Sequence, residues 1–163
     1  MTTQNPSQPK SYPHEQLAAQ PIGYWTGVAQ REVVGRIRRE LATESLTQPH
    51  WWILNHVAGA PAHWTRAALS AKLKPYDDQD IDFDEVFEDL ASRGWTAEEA
   101  TGTGFATLTL TEAGEAGRLR ARERNHRAHE QLHTGITEEE YVAALDVLRR
   151  VIANLGGNSD LPE

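Results

Sequence analysis

Three histidines in the last third of the chain have the spacing of metal ligands. His126, His129 and His133 lie three and four residues apart, so a helix places them on one face, and imidazole is a common zinc ligand. Glu130 or a water molecule could serve as a fourth ligand. The segment is, however, one polar helix with no cysteine nearby, which is more typical of a solvated surface. We therefore predict no metal and no cofactor.

Several enzyme classes depend on residue patterns that are missing here. The chain has no cysteine, which excludes thiolate zinc sites, thiol redox chemistry and cysteine nucleophiles. It has no Gly-rich phosphate loop and no Gly-x-Ser-x-Gly nucleophile elbow. We therefore expect that the protein is not an enzyme.

Charge is distributed unevenly along the chain. The 163 residues carry a formal charge of −8, but the window from Pro75 to Gly117 contains twelve acidic residues and one base, Arg93. A negative surface repels nucleic acid and anionic membranes. Any account of function must therefore explain why these acids are concentrated in one window.

The N-terminal residues, MTTQNPSQPKSYPHEQ, lack the apolar core of a signal peptide. No apolar run approaches the roughly 18 residues that a membrane span requires. We expect a cytoplasmic protein that does not bind membranes. Residues 1–20 are rich in Gln, Ser, Pro and Thr, which predicts a mobile arm.

Apolar residues that recur every three or four positions predict six helices. The first covers about 21–42, and the second, 47–59, is apolar nearly all round, so it should lie centrally. The third covers 65–73, and the fourth begins near Phe83 and ends at Gly94. The fifth covers about 111–132, and the sixth, 137–155, has an apolar seam that needs a partner helix. Residues 158–163 form a C-terminal tail.

Between the fourth and fifth helices the apolar period drops to two. Trp95–Glu98 and Phe105–Leu110 are therefore predicted to be strands joined by a loop containing Gly102 and Gly104. Three short helices followed by such a hairpin are the order of a winged helix. The fold class is mainly α: a winged helix-turn-helix at about 47–111, with helices at about 21–42 and 112–155 on its flanks.

Six segments of the chain carry a family resemblance. They are PIGYWTGVAQ, SLTQPHWWILNHVAGAP, LSAKL, LASRGW, ATLTLTEAGEA and TEEEYVAALDVLRRVIANLG. No single segment is specific, but in their order and spacing they resemble the MarR family of bacterial transcriptional regulators. The resemblance covers about residues 21–157, which we expect to form one domain.

The resemblance implies a homodimer in which the first, fifth and sixth helices interlock the subunits. It also implies that the fourth helix enters the DNA major groove while the wing touches the minor groove. It further implies a cleft that binds a small aromatic or anionic effector. Flat apolar side chains and one imidazole fall on the segments that would line it, although the tryptophans could equally be core. These candidate ligand-binding residues are Tyr24, Trp25, Trp52 and His56.

The departures from the family lie where DNA would be read. The fourth helix has carboxylates where the family has small polar residues and arginine. The segment from Leu73 to Phe83 is about three residues longer than the usual turn of the family. The wing tip, Glu98–Gly104, lacks the family's Asp-x-Arg. A carboxylate repels phosphate and releases no counterion. The bases that could still bind phosphate are Arg66, Lys72, Lys74 and Arg93. The carboxylates are Asp84, Glu85, Glu88 and Asp89.

Two functions are therefore carried forward. The first is a homodimeric MarR-like transcriptional regulator that binds double-stranded DNA through its winged helix and is controlled by a small ligand. The second is a dimer of the same fold that has lost sequence-specific DNA reading and serves as a protein-interaction or ligand-sensing module.

Overall fold

Helices make up most of the chain in the computed structural model, which describes residues 9–100, 102 and 104–161. The chain divides between Gly35 and Arg36 into two compact units. None of the described helices is long and apolar enough to cross a membrane. In chain order the helices are α1 (His14–Ala18), α2 (Ile22–Ala42), α3 (Gln48–Gly59), α4 (Arg66–Leu73), α5 (Phe83–Ser92), α6 (Glu112–His133) and α7 (Glu138–Asn154).

The N-terminal unit contains α1 and most of α2. A helix at α1 was not predicted, because its five residues are too short to show a period. Pro13 precedes it, and Glu15 in its first turn suits the positive end of the helix dipole. Residues 1–8 of the predicted arm lie outside the described residues. The helix predicted for about 21–42 is confirmed as α2.

The second unit contains the winged helix, and polar side chains cap its helices. Thr65 Oγ1 accepts the Ala68 N–H at 3.1 Å at the start of α4, and Asp82 Oδ1 accepts the Asp84 N–H at 2.9 Å before α5. A short 3₁₀ helix, Lys74–Tyr76, follows α4 directly. The helices predicted from apolar periodicity are therefore present.

The wing is an antiparallel hairpin of β1 (Thr96–Ala100) and β2 (Ala106–Leu110), with Thr96 opposite Leu110. The segment before α4 pairs with the other side of β2. The Leu108 N–H donates to the Trp64 carbonyl at 2.8 Å, and the Ala62 N–H donates to the Leu108 carbonyl at 3.1 Å. These two hydrogen bonds fix the wing to the entrance of α4.

The prediction that the first strand begins at Trp95 was one residue early. Gly94 has a φ of +68°, and its N–H donates to the Ala91 carbonyl at 2.8 Å. The Trp95 N–H donates to the Leu90 carbonyl at 2.9 Å, which completes a Schellman cap. The backbone N–H of Trp95 therefore closes α5, and the strand can begin only at Thr96.

The core of the winged helix forms where α3, α4, α5 and β2 meet. Burying one large aliphatic or aromatic side chain contributes about 1.5–3 kcal/mol. The prediction that 47–59 lies centrally is confirmed, since α3 packs against α4, α5, α6 and β2. Fully or almost fully buried side chains from these elements include Ile53, Leu54, Val57, Leu69, Phe87, Leu90 and Leu108.

Trp95 joins this core to α6. Its indole packs against the main core and also against a second cluster that contains Leu41, Leu46 and Ala121. A Cβ added at Gly117 of α6 would lie 2.5 Å from Cη2 of the indole, and one at Gly114 would lie 1.9 Å from the Trp95 carbonyl oxygen. Only glycine therefore fits at these two positions of α6.

A hydrogen-bonded chain joins the start of α3 to α5. His50 Nδ1 accepts the Thr47 N–H at 3.2 Å, and His50 Nε2 lies 2.9 Å from Asp89 Oδ2. Since Nδ1 accepts and a carboxylate can only accept, the ring is neutral with its proton on Nε2. Asp89 Oδ2 also accepts from Arg93 Nε at 2.7 Å. Burial lowers the pKa of His50, and the hydrogen bond to Asp89 opposes this only in part.

The C-terminal helix α7 begins at a capping box. Thr137 Oγ1 accepts the Glu140 N–H at 3.2 Å, and Glu140 Oε2 accepts the Thr137 N–H at 2.8 Å. None of the 17 residues of α7 is buried. Its apolar seam is therefore left open within one chain.

We expect Gly117→Ala to lower the free energy of unfolding by about 1–3 kcal/mol, because the new methyl group would force the Trp95 indole out of its position. The control is Gly23→Ala, where an added Cβ meets nothing within 4 Å. Alanine there should be neutral or stabilising by up to about 1 kcal/mol. Urea unfolding at one protein concentration measures both variants, and equal effects would contradict this account of Trp95.

The His50 pKa shift predicts how stability depends on pH. The ordinary histidine pKa is about 6.5. As pH falls through this value, His50 binds a proton in the unfolded chain but not in the folded chain. The free energy of unfolding therefore decreases. His50→Gln removes this titration, while its side-chain oxygen can still accept from Thr47 as in a capping box. We expect the melting temperature to change less between about pH 7.5 and about pH 5.5 in this variant than in the wild type. Equal changes would refute the assignment.

Candidate nucleic-acid interface

The outer face of α5 is acidic. Its apolar side packs into the core through Phe83, Val86, Phe87 and Leu90, all buried. The opposite side exposes Asp84, Glu85 and Glu88, whose spacing of three and four residues places them together. Acids in the first turn suit the helix dipole, which explains Asp84 and Glu85 in part. The face that the fold presents outward thus offers carboxylates and no cation.

Arg66, predicted to bind phosphate, is held by two of the surrounding carboxylates. Its Nη1 pairs with Glu88 Oε1 of α5, and its Nε donates to Glu98 Oε1 of β1 at 2.6 Å. The guanidinium lies over the Phe87 ring, 5.7 Å from its centre. Burial lowers the pKa of Arg66, but the hydrogen bonds to Glu88 and Glu98 outweigh burial and raise it.

Lys74 and Arg93 are also paired within the chain. Lys74 Nζ lies 2.7 Å from Asp80 Oδ1, and this hydrogen bond is the main reason that the pKa of Lys74 is raised. Arg93 donates to Asp89 and, through Nη2, to the Ser45 carbonyl at 2.9 Å. Phosphate would therefore have to compete with these carboxylate and carbonyl oxygens for either cation.

Lys72 differs from the other three predicted bases. It lies on the exposed side of α4, and among the residues that the structure describes we find no hydrogen bond or ion pair for its ammonium group. Lys72 is therefore the predicted DNA contact that is available without rearrangement.

The wing adds two further exposed acids, Glu98 and Glu99. Residues 101 and 103 of the predicted tip lie outside the described residues. Phe105, at the start of the returning strand, is 69% exposed. Within the described part of the hairpin there is no basic side chain, as expected from the missing Asp-x-Arg.

The four predicted ligand-binding residues belong to different units. In the first unit Tyr24 and Trp25 are exposed, and their rings meet edge to face at 5.3 Å. In the second unit Trp52 and His56 are half-buried, and Trp52 packs against the main core. His56 Nδ1 donates to the Trp52 carbonyl at 2.8 Å. Trp52 thus packs in the core, whereas Tyr24 and Trp25 are largely exposed.

The three histidines lie on α6, and its geometry separates them. A rise of about 1.5 Å per residue places His126 and His133 roughly 10 Å apart along the axis, too far to share one ion. Among the described residues no group of three or more acids or histidines could hold a metal. His133 instead packs against the Tyr141 ring at 4.5 Å.

Residues 129–133, HEQLH, match the His-Glu-x-x-His spacing of zinc peptidases, so the expectation that the chain carries no enzyme motif was wrong for this pattern. The two histidine rings lie 4.6 Å apart. Such a site needs a third protein ligand, and the described residues supply none.

Comparison with known proteins identifies the fold. No family model and no curated protein matches the sequence. Many solved structures do match, and three representative ones are transcriptional regulators. The PcaV regulator from Streptomyces coelicolor has a TM-score of 0.68 and 20% identity over 85% of this chain and all of its own.

A MarR-family regulator from Silicibacter pomeroyi has a TM-score of 0.59 and 20% identity over 82% of this chain and 88% of its own. Wild-type MarR from E. coli has a TM-score of 0.62 and 17% identity over 82% of this chain and 98% of its own. At this level of identity the comparison concerns the fold. The chain has the winged-helix fold of the MarR-family transcriptional regulators, as its sequence motifs predicted.

Proposed function

We propose that the protein is a homodimeric transcriptional regulator that binds double-stranded DNA through its winged helix and responds to a small aromatic or anionic ligand. The observation that carries this proposal is the winged helix formed by the described residues. Helix α5 buries one face and presents the other, and the hydrogen bonds of Leu108 fix the wing to the entrance of α4. This arrangement suits insertion of α5 into a major groove.

The acidic face of α5 limits how such a protein can bind. Each exposed carboxylate repels phosphate and cancels part of the counterion release that drives binding. The affinity for DNA would then depend on Lys72 and on cations that first break their ion pairs with carboxylates. We therefore propose weak, strongly salt-dependent DNA binding, with Arg66, Lys74 and Arg93 as contacts only after rearrangement.

The dimer is supported by the open seam of α7. Leu145 and Ile152 lie on this seam and are each 42% exposed. A C₂ dimer would cover such a seam by pairing it with the same surface of a second copy. Exposed Tyr24 and Trp25 in the first unit offer further apolar surface for a partner or a ligand.

One observation favours the second function. The winged helix exposes Asp84, Glu85, Glu88 and Glu99 on two elements, while three of its four candidate cations are paired internally. A surface of this charge suits a basic protein partner better than a polyanion. In this function the wild-type dimer ignores DNA and binds a basic protein through the same face.

Glu85→Arg tests whether α5 faces DNA. If it does, the variant should bind any duplex about tenfold more tightly at low salt, and its salt slope should steepen by about one, since one phosphate contact is gained. The control Glu123→Arg makes the same charge change on α6. Fluorescence anisotropy with duplexes selected by the wild-type dimer from genomic DNA measures both.

The regulator proposal fails if that selection enriches no sequence and wild type binds no duplex at about 50 mM salt. Equal affinity gains for Glu85→Arg and Glu123→Arg would place α5 away from the DNA. Loss of a basic protein partner in Glu85→Arg, together with no selected sequence, would support the protein-interaction function instead.

Dimerisation is tested by the double variant Leu145→Asp with Ile152→Asp. Two carboxylates on the seam would be buried unpaired in a dimer, so we expect a monomer at micromolar concentration. The matched control, Ala143→Asp with Val147→Asp, adds the same charge to exposed positions on another face of α7 and should remain dimeric. Light scattering measures the mass, and a monomeric wild type would refute the proposal.

A further inference from the structure

Arg66 is the residue at which three elements of the winged helix meet. It is the first residue of α4, and its guanidinium reaches Glu88 on α5 and Glu98 on β1. Both Nε and Nη2 bind Glu98 Oε1, at 2.6 and 2.5 Å. We call this three-residue contact, Arg66 with Glu88 and Glu98, the Arg66 clamp.

The Arg66 clamp lies at the outer surface of the winged helix. The Glu88 side chain is 71% exposed and the Glu98 side chain 37%, whereas Arg66 itself is 27% exposed beneath them. Glu88 shares the exposed face of α5 with Glu85. A ligand approaching α5 and the wing would therefore meet the carboxylates of Glu88 and Glu98 before it met the Arg66 guanidinium.

Carboxylate and phosphate compete for the same chemistry at an arginine. A guanidinium binds either one through its fork of N–H donors, which are already engaged here by two carboxylates. Phosphate must therefore compete with Glu88 and Glu98 for Arg66. Water and salt screen exposed ion pairs and so weaken them. Phosphate can therefore replace a carboxylate at Arg66 reversibly.

We infer that Arg66 is a phosphate contact that Glu88 and Glu98 mask in the free protein, and that the same clamp holds the wing against α5. This inference rests on the proposed DNA-binding function. Arg66 is therefore a positioning residue in the free protein and a DNA contact in the complex. The closed clamp lowers DNA affinity, because Arg66 must break its contacts with Glu88 and Glu98 before it can bind phosphate.

The test compares two double variants of the full-length protein. Glu88→Gln with Glu98→Gln weakens the clamp, whereas Glu85→Gln with Glu99→Gln removes the same charge from the same helix and strand without touching Arg66. Both should bind duplex DNA more tightly than wild type. The clamp variant should exceed the control by about fivefold at about 50 mM salt, and its salt slope should be steeper by about one.

Arg66→Ala in each background identifies the source of the difference. It should abolish the excess affinity and excess slope of the clamp variant while changing the control much less. Melting curves check that all variants fold. The clamp is overturned if both double variants gain equally, or if the excess survives in Arg66→Ala.

The outcomes separate the clamp from the proposed function. If genomic selection yields an operator but the two double variants bind it equally, the masking of Arg66 is refuted and the regulator proposal is retained. If selection yields no sequence while the clamp variant still gains sequence-independent affinity over its control, the masking of Arg66 is retained and the regulator proposal is refuted. If no variant binds duplex DNA, both are overturned.

Discussion

The packing of the Trp95 indole against Gly117 is the contact on which the arrangement of the winged helix depends. Trp95 ends α5, precedes the wing and touches both hydrophobic clusters. A side chain larger than hydrogen at Gly114 or Gly117 would collide with it. Arg93 and Arg120 lie over its ring, at 5.4 and 5.7 Å. The positions of α5, the wing and α6 are therefore linked through one side chain.

The second constraint is electrostatic. The outer face of the winged helix is acidic, whereas the function proposed for it is to bind DNA, which is a polyanion. The chain neutralises part of that charge internally, because Arg66, Lys74 and Arg93 each bind a nearby carboxylate. These pairs hold the wing, the loop before α5 and the start of α3 in place. The same cations are the candidate phosphate contacts of the proposed function, so residues that stabilise the winged helix are also those that DNA binding would use.

Much of the architecture could be predicted from the sequence, because the signals are local. Apolar period, capping residues and glycine positions determine where α2 to α7 begin and end within one or two residues. Thr137 with Glu140 is a clear example, since both partners of the capping box lie within four positions. The helix α1 was missed because five residues show no period, and the first strand was shifted because the cap on α5 uses the Trp95 N–H.

The candidate site was predictable only as a set of residue types. The sequence by itself determined that carboxylates replace cations on α5, and which four bases remained. The partners of Lys74 and Arg93 are Asp80 and Asp89, which lie within six positions along the chain, so these two pairs are local. Only the tertiary structure decided that Arg66 is occupied, because Arg66 lies 22 positions from Glu88 and 32 from Glu98. Pairing between distant residues depends on how helices pack, and a one-dimensional pattern does not contain that information.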